Sequence, residues 1–237
     1  MLDFLTRRPI AHRGLHDDNV LQFENSLSAF SAAANRDFAI ELDVQLSGDG
    51  TAVVFHDRTL ERLTSRAGPV VERTASELRK IRLGSTNEHI PVLAETLECI
   101  DGSVPVVIEM KEYGANPAAL ARAVAIELES YSGQVAVMSF GHSLLSAFAE
   151  TGSDAPLGLT AEGIGRHSLA EHNKALAIGI SFVSYHVKAL PNPFVDHVRK
   201  ELGLPVITWT VRNHEDVEAT RLHADQITFE GFDPDLQ

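Results

Sequence analysis

Two histidines, an arginine and two carboxylates fall within the first quarter of the chain, each on a short apolar run. They lie in Ile10-Ala11-His12-Arg13-Gly14, Glu41-Leu42-Asp43 and Phe55-His56-Asp57. A fourth run, Val106-Val107-Ile108-Glu109-Met110-Lys111, adds a third carboxylate and a lysine. Histidine moves protons near neutral pH. Carboxylates gathered without cysteine favour a hard divalent cation such as Mg2+ or Ca2+. Arginine and lysine grip phosphate oxygens. The set as a whole points to metal-assisted cleavage of a phosphate ester.

These residues do chemistry together only if strands bring them together. In a strand, side chains at i and i+2 share a face. Glu41 therefore points the same way as Asp43, and Glu109 the same way as Lys111, near the C-terminal ends of their strands. Eight strand candidates recur along the chain: Pro9–His12, Ala39–Val44, Val104–Lys111, Val135–Phe140, Leu157–Thr160, Ser181–Tyr185, Pro205–Val211 and Gln226–Phe229. Amphipathic segments lie between most of them. Asn25 is a candidate cap for a helix carrying Leu27, Phe30 and Ala34, Asn116-Pro117 opens a helix with Leu120, Val124 and Leu128, and Asn213 caps one containing Val217. This alternation predicts a closed TIM (β/α)8 barrel, with an open doubly wound sheet as the runner-up. Active sites of such barrels sit at the C-terminal ends of the strands, where these residues lie.

About sixty residues separate Asp43 from Val104, where one helix would suffice. Ser47-Gly48-Asp49-Gly50 reads as a turn and Thr51–His56 as an extra strand. A short helix capped by Thr74 or Ser76 follows, then a second helix, Leu93–Cys99, behind Pro91. We read residues 45–90 as a small insertion after the second strand, on the catalytic face of a single domain spanning 1–237.

Each residue also has a structural reading. Glu41 and Glu109 could pair with Arg13 and Lys111 in ordinary salt bridges, and a lone histidine at a strand end is usually a satisfied structural group. Several inward carboxylates at one barrel end would instead repel one another unless a cation sat among them. His186 is a weaker site candidate. Glu24 is placed to reach the site from the first loop, Trp209 could be core or ligand contact, and Cys99 reads as a buried small hydrophobe. Gly14 and Gly68 suit tight turns.

The 237 residues, 44% hydrophobic, suffice for one large α/β barrel. Net charge is -13, against general binding to nucleic acid or anionic membranes. An anionic substrate would need local positive charge, from a metal and from Arg13 and Lys111. The first eight residues are too short and charged for a secretory signal, and no apolar run approaches the roughly 20 residues that span a bilayer. The expectation is a soluble cytoplasmic protein without stable membrane association.

The motifs resemble those of the glycerophosphodiester phosphodiesterase family: His12-Arg13-Gly14, Glu24-Asn25-Ser26, Glu41-Leu42-Asp43-Val44, Asp49-Gly50, Val54-Phe55-His56-Asp57, Leu60, Thr64, Gly68, Pro91, Glu109-Met110-Lys111, Ser139-Phe140 and Trp209-Thr210-Val211. The match runs in order over nearly the whole chain and is densest before Lys111. The resemblance implies a TIM barrel with a small insertion. It also implies divalent-cation-dependent hydrolysis of small glycerophosphodiesters to glycerol 3-phosphate and an alcohol. By the same resemblance His12 and His56 are the acid/base pair, Glu41, Asp43 and Glu109 bind the metal, Arg13 contacts phosphate, and Lys111 supports phosphate or metal ligands. Two rim positions depart from the family pattern. The last strand runs Ile227-Thr228-Phe229-Glu230-Gly231-Phe232-Asp233-Pro234 in place of an Ile-Thr-Asp motif before proline, and Arg212 stands where Asn often follows Trp-Thr-Val. Rival readings are a related barrel enzyme cleaving phospholipid head groups, in the manner of a phospholipase D or phosphoinositide phospholipase, and a non-catalytic barrel that binds without turnover.

Overall fold

A computed structural model describes residues 2–114 and 116–236. The elements run α1 (Phe4–Arg7), β1 (Ile10–Ala11), α2 (Leu27–Asn35), β2 (Ala39–Leu46), β3 (Ala52–Val54), α3 (Ala75–Leu78), α4 (Leu93–Ile100), β4 (Val106–Met110), α5 (Pro117–Leu128), β5 (Val135–Ser139), α6 (His142–Ala149), β6 (Leu157–Ala161), α7 (Arg166–Leu176), β7 (Phe182–His186), α8 (Pro193–Lys200), β8 (Val206–Val211), α9 (His214–His223) and β9 (Gln226–Phe229). Setting β3 aside, neighbouring strands pair in parallel. β1 pairs with both β2 and β9, so the eight-stranded ring closes. The fold is therefore the expected TIM barrel and not the open sheet.

Period-two alternation decides which side chains reach the interior. On β2, Ile40, Leu42 and Val44 pack outward against the helices, as do Val106, Ile108 and Met110 on β4. The intervening positions face in. Ala39 and Val107 join Ile10, Ala136, Met138, Phe182 and Ile207 in an interior core, closed off by Phe4 and Leu5 of α1. Gly158 belongs to this filling, because a Cβ there would lie 2.3 Å from the Phe182 ring. Above this apolar floor come Glu41, Asp43 and Glu109, and the register sets Asp43 directly beside Glu109.

The insertion departs from the barrel as β2 runs on past Val44. Val44, Gln45 and Leu46 pair antiparallel with Val54, Val53 and Ala52, which is why β2 is longer than the sequence suggests. A capping box at Thr74 starts α3. Phe55, Leu60, Leu63, Val70, Leu78, Leu83 and Ile90 form a small core of their own, against which Phe23 of the first loop packs.

Two sequence readings are corrected. The cap of α2 is Ser26, whose hydroxyl accepts from the Ala29 N–H, and not Asn25. Asn25 sits one residue too early, in left-handed backbone (φ 56°) that asparagine tolerates, with its side chain turned inward. Cys99 is exposed rather than buried, because it lies on the outer part of α4, where Leu93, Leu97 and Ile100 make the packed face. Among the described residues no helix is long and apolar enough to cross a membrane.

Candidate active site

The strand ends bring the seven singled-out residues, His12, Arg13, Glu41, Asp43, His56, Glu109 and Lys111, to one mouth of the barrel. A cavity of about 500 Å3 opens there, lined by His12, Arg13, His56, Glu109, Lys111 and Trp209 among others. Ligand oxygens of Glu41, Asp43 and Glu109 converge within 4.8 Å of one another, and all three side chains are buried.

Such convergence of like charge needs neutralising. Lys111 Nζ lies 2.8 Å from Asp43 Oδ1 and also bonds Glu109. Arg13 Nε lies 3.1 Å from Asp43 Oδ2, its Nη1 donates to Glu24 Oε1 at 2.7 Å, and its backbone N–H donates to Glu41 Oε2 at 2.9 Å. Asn25 Nδ2 donates to Asp43 Oδ2 at 2.8 Å, while Asn25 Oδ1 accepts from the Asp43 N–H. Burial would raise the Asp43 carboxyl, but the charges of Lys111 and Arg13 outweigh it and hold Asp43 well below the usual carboxylate range. Glu41 goes the other way, pushed well above that range by burial and by the Asp43 and Glu109 charges. Glu109 is also raised, by burial with Asp43 adding, against the opposing charge of Lys111. Three carboxylates thus share two cations, and one of these, Arg13, is divided with Glu24. The cluster is short of positive charge, and its donors are hard oxygens of the kind Mg2+ and Ca2+ prefer. An additional divalent cation fits this set.

The two histidines share a design. His12 follows β1, fixed by its N–H donating to Phe229 O at 3.0 Å. Its Nδ1 donates to Glu230 Oε2 at 2.6 Å. His56 Nδ1 donates to Asp57 Oδ1 at 2.7 Å. An ionised carboxylate can only accept, so each Nδ1 carries a proton and each Nε2 is left free to exchange one with a substrate. Burial lowers the His12 ring to about 4, against the opposing Glu230 hydrogen bond. Each carboxylate is in turn gripped by an arginine. Arg62 Nε donates to Asp57 at 2.6 Å and its Nη atoms to Glu24 at 2.7 and 2.8 Å, while Arg212 Nη2 donates to Glu230 at 3.1 Å. Burial would raise Glu24, but the Arg62 hydrogen bonds and the Arg13 charge bring it down to about 2.

The backbone turns tightly to deliver these groups. Arg13 and Gly14 have φ of 57° and 80°. At Gly14 a Cβ would also lie 2.9 Å from the Ala29 backbone. On β8, two strands round the ring from β1, Trp209 lies between two rings, Phe140 at 5.4 Å and His186 at 4.8 Å between centroids, and donates its indole N–H to Ser184 O. Trp209 is thus cavity wall, and His186 stands beside it.

The sequence reading missed Asn25, Arg62 and Glu230 as partners of the central residues. Arg62 carried no signal, being one arginine in an insertion whose path the sequence does not fix. Asn25 and Glu230 did, as a left-handed-tolerant residue beside the true cap and as an irregular end to the last strand.

Comparison with known proteins places the fold and the family. The model of the Glycerophosphoryl diester phosphodiesterase family matches residues 12–229. A glycerophosphodiester phosphodiesterase of Caldanaerobacter subterraneus subsp. tengcongensis is 31% identical over 223 residues, 88% of this chain and 87% of that one. One from Bacillus subtilis is 27% identical over 237 residues, covering 88% and 78%. The barrel also superposes on a phosphodiesterase of Oleispira antarctica solved in complex with the product sn-glycerol-3-phosphate, with TM-score 0.82, 23% identity and coverage of 94% and 92%. The chain belongs to the glycerophosphoryl diester phosphodiesterase family, a family of phosphoric diester hydrolases.

Proposed function

We propose that this protein hydrolyses small glycerophosphodiesters to glycerol 3-phosphate and an alcohol, using one divalent cation and a pair of histidines. The observation that carries the reading is the convergence of Glu41, Asp43 and Glu109 within 4.8 Å at the floor of a cavity flanked by His12 and His56. Glu41, Asp43 and Glu109 hold the cation, Mg2+ or Ca2+ by the hardness of its ligands. When bound, it supplies Lewis-acid charge against the phosphate.

The remaining steps belong to the protein. Arg13 and Lys111 line the cavity with fixed positive charge and stabilise the phosphate oxygens as negative charge builds on them. Asn25 and Glu24 keep Asp43 and Arg13 in place. One histidine takes a proton at Nε2 from the attacking hydroxyl, and the other gives one to the departing alkoxide. The glycerol 2-hydroxyl can serve as the nucleophile, giving a cyclic phosphate that water opens with the histidine roles reversed. The carboxylate on each Nδ1 keeps the correct nitrogen facing the substrate.

The alcohol half lies toward the insertion and the last loop. A second, mainly apolar cavity of about 230 Å3, lined by Gln45, Ser47, Val71, Lys111 and Tyr113, adjoins on the insertion side. Net charge of -13 disfavours anionic bilayers, and a single exposed free cysteine suits the reducing cytoplasm. The test is product analysis on glycerophosphocholine and glycerophosphoethanolamine, set against lysophospholipid and sphingomyelin in vesicles. Glycerol 3-phosphate release should be faster from the soluble diesters. Preferential cleavage of the vesicle substrates would move the protein to the lipid-acting class, and no turnover of any diester would make it a binding protein.

A further inference from the structure

Both rim departures from the family pattern meet at one carboxylate, that of Glu230. Glu230 is the first residue after β9, and its backbone N–H donates to Val211 O at 3.0 Å, tying it to the end of β8. This tie and the Phe229 O to His12 N–H bond clamp the peptide between β1 and β8, so the Glu230 side chain has little freedom. One oxygen, Oε2, accepts from His12 Nδ1 at 2.6 Å, and the other, Oε1, accepts from Arg212 Nε at 3.3 Å and Nη2 at 3.1 Å. Arg212 is the first residue after β8. The family match ends at Phe229, so Glu230 falls just outside it.

We propose that Glu230 and Arg212 act as one positioning unit for His12, resting on the phosphodiesterase reading above. Glu230 fixes the His12 ring with its proton on Nδ1 and its Nε2 toward the cavity. Arg212 acts through Glu230, occupying Oε1 so that Oε2 stays on the ring. The arrangement repeats that at His56, where Asp57 takes Nδ1 and Arg62 takes Asp57. The two pairs come from unrelated segments, the insertion and the last two strand ends. The chain thus builds the same support twice. Glu230 also accounts for the lost Ile-Thr-Asp motif, since it presents a carboxylate from one residue beyond Phe229, and Arg212 accounts for the residue that displaced the usual Asn.

The test uses the metal-loaded enzyme and four variants: Glu230→Gln, Glu230→Asp, Arg212→Ala and the double variant Glu230→Gln with Arg212→Ala. Glu230→Gln should lower kcat roughly 10- to 100-fold, the usual cost of removing a supporting partner of a site residue, with KM little changed. Glu230→Asp should recover part of that loss. Arg212→Ala should lower kcat less, and the double variant should be no worse than Glu230→Gln alone, because Arg212 has nothing left to hold. Nitrogen NMR on the unliganded protein supplies a readout independent of turnover. His12 should be an Nδ1–H tautomer in the parent and a mixture in Glu230→Gln. Unchanged kcat and tautomer in Glu230→Gln would overturn the proposal while leaving the hydrolytic reading intact. A rise in KM on adding Arg212→Ala to Glu230→Gln would overturn it too, by making Arg212 a substrate contact. An inactive parent enzyme would instead strike the reading on which the proposal rests.

Discussion

Replacing Glu41 by Gln should make the cation-free protein more stable and the cation irrelevant to its stability. The Gln side chain keeps the shape of Glu41 and an oxygen to accept the Arg13 N–H. What it removes is a carboxylate within 4.8 Å of the ligand oxygens of Asp43 and Glu109. Once Glu41 is ionised, at the alkaline end of the range, two unit charges at that separation repel by roughly 3.5 kcal/mol at an effective dielectric of 20. Arg13 and Lys111 offset most of this, so a net gain of about 1 kcal/mol is expected, or roughly 2–4 °C in Tm for a chain of this size. The sign with pH follows from the raised Glu41 carboxyl. Above the ordinary carboxylate range the folded protein holds a proton that the unfolded chain has released, so stability falls as pH rises through that window. The parent should therefore lose Tm relative to Glu41→Gln between pH 5 and pH 8. Adding Mg2+ or Ca2+ at about 100 times Kd should stabilise the parent by roughly 2.7 kcal/mol, several degrees, and leave Glu41→Gln unmoved. Thermal melts at both pH values, with and without cation, read all of this. An unchanged cation response in Glu41→Gln, or none in the parent with any divalent cation tried, would refute the reasoning.

His12→Ala and His56→Ala should each reduce turnover by roughly 10²–10⁴-fold while the barrel still folds, as read by steady-state kinetics beside circular dichroism; near-normal turnover in either would mark that residue as structural. Arg13→Lys should also be damaging in the same assay, since an ammonium cannot bridge Glu24, Asp43 and phosphate as a planar guanidinium can. Gly14→Ala should destabilise the protein in denaturant titration by about 1–3 kcal/mol, the usual cost of backbone held in a sparsely populated region, because its φ is 80° and its Cβ would meet the Ala29 backbone.

Much of the site was legible because it follows from strand geometry. Once Glu41, Asp43, Glu109 and Lys111 are read on strands, period two puts them on one face, and barrel closure needs only the right register to set Asp43 beside Glu109. His12 and His56 carried the same kind of signal at strand ends. What could not be read depends on contacts set by the path of loops. Asn25 reaches Asp43 because a left-handed turn throws it inward, and Ser26 beside it is an equally good cap by residue type. Arg62, inside the insertion, reaches back to Glu24 in the first loop, 38 residues earlier in the chain. Glu230 was visible as an irregularity in the last strand, but its partner is 218 residues away, across the closure of the barrel. Cys99 was misread because its composition says hydrophobe while its phase on α4 says surface.

The most direct test is glycerol 3-phosphate release from glycerophosphocholine by enzyme stripped of metal and then reconstituted. Turnover should vanish in excess chelator, return on adding Mg2+ or Ca2+, and fail to return in variants lacking the Glu41, Asp43 or Glu109 carboxylate. Full turnover in excess chelator after dialysis would contradict the account.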